Sequence, residues 1–146
     1  MGRATLLKSV LAAASLMAAA VPIQAQAADL YIGPSDPTSV CGKPKILSRI
    51  TDRFHHQVTH VPHLPNVTIV AYHNIHEHRY LPAQEFRPIG RRYCMATAEF
   101  DSGEQRSVWY MIEEGMGFAS IGDGVEFCVS GFDRWNVYNA GCRVLR

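Results

Sequence analysis

Three runs in the C-terminal half, 92–100, 106–113 and 124–130, are dense in β-branched and aromatic residues and are separated by glycine-bearing turns, the pattern of an antiparallel meander. In the first run Cys94, Ala96, Ala98 and Phe100 alternate with Tyr93, Met95, Thr97 and Glu99. In the second, Val108, Tyr110 and Ile112 alternate with Trp109 and Met111. Both faces carry apolar groups, so the sheet should be covered by a helix or arm on one side and by a second element or a partner on the other. Asp101, Ser102, Gly103 and Glu104 supply the hairpin turn between the two runs, with glycine free to take a positive φ.

Upstream the period changes. Ile46, Ile50, Phe54 and Val58 recur at helical spacing with Arg49, Asp52 and Arg53 off the stripe, which predicts a helix over 45–59 that stops before Pro62. After Pro62 and Pro65, residues 67–72 have the β-branched density of a strand. Residues 73–88 are polar and proline-broken and read as a long loop or irregular edge. Residues 28–44 hold prolines and glycines without periodicity and read as an extended arm. The fold class expected is α+β: one N-terminal helix packed on an antiparallel sheet of about four strands, a single domain over 45–146 stapled by two disulfides.

The first 27 residues carry Arg3 and Lys8 ahead of an apolar run and end in Ala25, Gln26 and Ala27, the layout of a secretory signal peptide. The apolar run is shorter than the roughly 20 residues that cross a bilayer, so no transmembrane segment is expected in the mature chain, which should be periplasmic or secreted. Without Arg3 and Lys8 the 14 basic residues become 12 against 13 acidic ones, and this balance argues against a nucleic-acid partner. An exported chain with Cys41, Cys94, Cys128 and Cys142 should hold disulfides, since an oxidising compartment lets them persist. Of three possible pairings we expect Cys128 with Cys142, joining the last strand to the returning tail, and Cys41 with Cys94, tying the arm to the sheet.

All histidines fall between His55 and His78. On a helix His56 and His60 share a face; on an extended segment His76 and His78 do, and with His73 these imidazoles make a candidate set for zinc or copper. Clustered imidazoles, with an ordinary pKa of about 6.5, would also gain charge in mild acid and loosen the segment. Enzymatic readings find little to hold. Glu113 and Glu114 are adjacent and so face opposite sides of a strand, neither GxSxG nor HExxH occurs, and residues 115–120 match a dinucleotide loop poorly because Ser120 stands where the third glycine belongs. In the loop 131–142, Trp135 and Tyr138 either pack on the core or form a protein-binding anchor.

The runs RRYCMATAEF, RSVWYMIEEGMGFASIG and VEFCVSGFDRWNVYNAGCRVLR resemble a family of small exported alphaproteobacterial proteins of unknown function. The resemblance implies an exported bacterial domain and transfers no activity, ligand or catalytic residue. The functional expectation is therefore a non-enzymatic periplasmic or secreted domain acting through protein contacts in the cell envelope, with no cofactor. The alternative is a periplasmic metal-binding protein using the histidine segment.

Overall fold

Pro44 opens the helix α1 (Pro44–His60), a position where its missing N–H is no loss, and the chain leaves helical geometry at Val61, just before Pro62. Its stripe of Ile46, Leu47, Ile50, Phe54 and Val58 is buried as the spacing requires. The structure is a computed structural model that describes Tyr31–Ile32 and residues 40–146. The leader expected over 1–27 and most of the arm expected over 28–44 lie outside the described residues.

The helix lies on a four-stranded antiparallel meander, β2 (Ile69–Leu81), β3 (Arg91–Phe100), β4 (Gln105–Glu113) and β5 (Gly124–Val129). The two-residue strand β1 (Tyr31–Ile32) adds to β2 in parallel, opposite Ala71 and Tyr72. The order β1-β2-β3-β4-β5 leaves β5 at one edge. Cys94, Ala96, Ala98 and Phe100 meet Val108, Tyr110, Ile112, Val125, Phe127 and Val129 beneath the helix, where Phe54 stacks on Phe100 at 5.6 Å between ring centroids. Small alanines at the centre of β3 let the helix approach, and the large rings fill the rest. The opposite face holds a smaller cluster of Tyr93, Met111, Cys128, Cys142 and Leu145, with Trp109 and Tyr138 partly buried against it. The returning tail thus covers part of the second apolar face.

Both expected disulfides are present, Cys41–Cys94 and Cys128–Cys142. The first fixes the 3-10 turn Val40–Gly42 to β3, and the buried Tyr110 hydroxyl donates to the Cys41 carbonyl at 2.9 Å across the same junction. The second ties the tail to β5.

The segment 73–88 corrects the loop expectation: β2 runs on to Leu81, and a turn bridged between Gln84 and Arg87 follows. The pairing of β2 with β3 slips between Ile69 and Ala71, between His73 and His76, and between Glu77 and Arg79. Asn74 takes a left-handed φ of 53° at the second slip. Each bulge shifts the parity of the side chains, so a strand paired along most of its length carries no two-residue repeat in its sequence.

Candidate functional site

The histidines expected to share a metal are spread over two elements. His56 and His60 are exposed on the last turns of α1, their rings stacked at 3.9 Å between centroids. The His60 Nδ1 lies 2.8 Å from the His56 carbonyl, which can only accept, so Nδ1 carries the proton and Nε2 presents its lone pair. His73, His76 and His78 are on β2. His73 Nε2 meets a Glu99 carboxylate oxygen at 2.7 Å, and His76 Nδ1 donates to the Asn74 carbonyl at 2.8 Å. His78 stands edge-on to Trp109 at 5.4 Å and near Tyr93 at 6.2 Å. Partial burial, then charge repulsion from the His76 and Arg79 side chains, hold its pKa below the ordinary histidine range against the pull of Glu77. Among the described residues, no three His, Cys, Asp or Glu side chains converge as a metal shell would require. Of the five imidazoles, only His56 and His60 are in contact ring to ring.

Glu113 and Glu114 go to separate arginines, Arg91 at 2.9 Å and Arg92 at 3.3 Å. Arg92 also donates to Glu77 at 2.8 Å, and that hydrogen bond raises its pKa above the usual arginine value. These pairs brace the end of the sheet. Tyr72 and Tyr110 have phenols pushed well above the usual range by burial, which keeps them neutral and structural.

The edge strand β5 presents a different surface. The Ser130 N–H donates to the Ser107 carbonyl, so the ladder to β4 uses Cys128, Glu126 and Gly124 in turn, and the N–H and C=O groups of Val125, Phe127 and Val129 point away from the sheet. Arg53 and Gln57 of α1 reach over this edge, Arg53 to the Val125 carbonyl at 2.6 Å and Gln57 to the Phe132 carbonyl at 2.9 Å. Between these residues and the loop 131–142 lies an open cavity of about 320 Å³ that Phe127, Cys128, Val129, Trp135 and Tyr138 help to line. A second hollow of about 560 Å³ borders Arg49, Met116, Phe118 and Val125. Arg53 lines both and, bonded to the Val125 carbonyl, stands between them, so two hollows lie side by side along β5.

The loops at the two ends of β5 carry apolar side chains in water. Met116, Phe118 and Ile121 are 48, 94 and 74% exposed on one, and Trp135 and Val137 are 64 and 68% exposed on the other. Trp135 stands out as an anchor should, whereas Tyr138 is half-buried in the cluster with Cys142 and supports the loop from beneath. Most residues held at positive φ without being glycine lie in the same loops: Ala119, Ser120, Asn136, Asn139, Ala140 and Cys142. Such backbone costs free energy and concentrates where a loop is shaped for a task. Sequence reasoning singled out Trp135 and Tyr138 but missed Phe118 and Ile121, because a residue between glycines reads only as a turn.

Comparison with family models, with curated proteins and with solved structures returns no match. The site therefore has to be read from its own chemistry.

Proposed function

We propose that this chain is an exported, disulfide-stapled, non-enzymatic domain that acts by binding a protein partner in the cell envelope through the surface beside β5. The observation that carries the reading is the placement of Met116, Phe118, Ile121, Trp135 and Val137 in water at the two ends of one edge strand. Apolar side chains grouped around a concave surface are what a partner desolvates, and large aromatic anchors supply most of the energy. The disulfide Cys128–Cys142 supports it by restraining the loop that holds Trp135, which lowers the entropy lost on binding. The two disulfides are compatible with export, and no helix among the described residues is long and apolar enough to cross a membrane.

The test is a photo-reactive side chain at position 135 of the exported protein, followed by comparison of the cross-linked partner's recovery on Trp135→Ala/Val137→Ala and on the control Phe86→Ala. Phe86 is 83% exposed but lies in the β2–β3 connection, so its truncation should leave recovery unchanged. The double variant should keep its denaturation midpoint and lose the partner at least tenfold. Equal recovery from both variants would end the reading.

A second reading, zinc or copper binding, is supported by the stacked pair His56 and His60 and the free lone pair on His60 Nε2. It predicts metal bound by untagged protein, lost in His56→Ala/His60→Ala and weakened toward acid as protons compete for the imidazoles.

A further inference from the structure

Building on the partner-binding reading, we propose that β5 receives an added strand: an extended, acidic segment of the partner pairs with the outer edge at Phe127. Strand addition needs unused backbone groups on a regular edge. The pairing of β5 with β4 runs without a slip from Gly124 to Val129, and Glu126 is its one charged residue. The opposite edge is a poorer template, since β2 is bulged and already paired with β1.

The chemistry of the occupant follows from what the edge has left to offer. Of the outward carbonyls, Val125 is taken by Arg53 at 2.6 Å and Val129 by the Phe132 N–H at 2.9 Å. What remains, among the described residues, is the N–H of Val125, Phe127 and Val129 and the C=O of Phe127. The edge is therefore richer in donors than a neutral strand would match, and it wants acceptors.

Three arginines extend that bias. Arg49, Arg53 and Arg134 donate to the carbonyls of Asp123, Val125 and Pro62, and among the described residues none lies in an ion pair. Nearby carboxylates are committed elsewhere: Asp123 accepts from the Gly115 N–H, Asp133 from the Tyr138 N–H, and Glu113 pairs with Arg91. Asp123 and Asp133 keep their charge, since a backbone N–H is neutral, but among the described residues neither they nor Glu126 lies in an ion pair with any of the three arginines. A segment whose side chains alternate between carboxylates and apolar groups satisfies both the donors and the charges, with its apolar side chains against Trp135 or Phe118. A second copy of this chain fits less well, because a two-fold pairing of β5 with β5 would set Arg49, Arg53 and Arg134 against their own copies.

The probe is a synthetic heptapeptide alternating glutamate with valine and phenylalanine, compared with its lysine counterpart and with a form N-methylated at alternate residues. Amide hydrogen exchange of the folded, disulfide-bonded protein is the readout. The acidic peptide should slow exchange at Phe127 and Val129 at least tenfold, while the lysine and N-methylated peptides leave it unchanged. Arg134→Glu, a surface substitution, should weaken the acidic peptide at least threefold and allow the lysine peptide to protect the same amides. Unchanged exchange at Phe127 and Val129 with every peptide, or protection confined to β2, overturns the proposal. So does concentration-dependent protection without peptide, which would make a second copy the occupant. Loss of the natural partner on Trp135→Ala/Val137→Ala together with unchanged exchange would sink strand addition alone and leave the partner-binding reading standing.

Discussion

Single side chains set the working conditions of this domain. His78 stands exposed on β2 beside the rings of Tyr93 and Trp109 and next to His76 and Arg79, so partial desolvation and charge repulsion disfavour its protonated form in the folded chain. In the unfolded chain the imidazole titrates near its ordinary value of about 6.5. With the folded pKa the lower of the two, the unfolded state binds more protons in the window between them, and stability falls as pH drops below about 6.5 toward the folded value. Denaturant midpoints measured at pH 7.5 and pH 5 should show this loss, and His78→Gln should show less of it. A variant with the same pH dependence as the parent would place the acid sensitivity elsewhere.

At the scale of elements, β4 shows how one strand serves two unequal layers. Its even-numbered side chains, Val108, Tyr110 and Ile112, are fully buried beneath α1, while Trp109 and Met111 face the tail. Phe127 on β5 belongs to the helix side. Phe127→Ala should therefore cost about 3–5 kcal/mol, the range for truncating an aromatic ring in a closed core. Trp109→Ala should cost less, about 1–3 kcal/mol, because water already reaches the ring and the void it leaves opens outward. Equal shifts in the denaturant midpoint would mean that the tail closes its side as tightly as the helix closes the other. The alternation on β3 and β4 made this two-layer arrangement readable in the sequence. The length of β2 was not readable, because its bulges around Asn74 and His78 destroy the alternation while the backbone pairing persists.

For the whole molecule the two disulfides do different work. Cys41–Cys94 closes a separation of 53 residues and Cys128–Cys142 one of 14, so chain-entropy arguments assign them about 4 and about 3 kcal/mol. Cys41→Ala/Cys94→Ala should lower the unfolding midpoint more and loosen the junction between the N-terminal turn and β3. Cys128→Ala/Cys142→Ala should leave α1 and the main core in place, release the tail, and raise binding of a hydrophobic dye as Met111 and Trp109 lose their cover. Calorimetry and dye fluorescence check both. A larger loss from the shorter loop would show that tail packing contributes more than loop closure.

The sequence by itself determined the elements whose signals are local: the helix with its stripe from Ile46 to Val58, the strands β3, β4 and β5, the hairpin turn at Gly103, and four cysteines placed to staple arm and tail. Periodicity and turn chemistry act between near neighbours in the chain, so a few residues suffice to announce them. Tertiary structure alone decided that β2 reaches Leu81, that His56 and His60 stand apart from the histidines of β2, and that Trp135 projects while Tyr138 is tucked in. It also decided that β5 ends the sheet with donors outward and three arginines beside it. Those outcomes depend on which strand pairs with which and on what covers each face. Such contacts join residues far apart in the chain, and no local pattern encodes them.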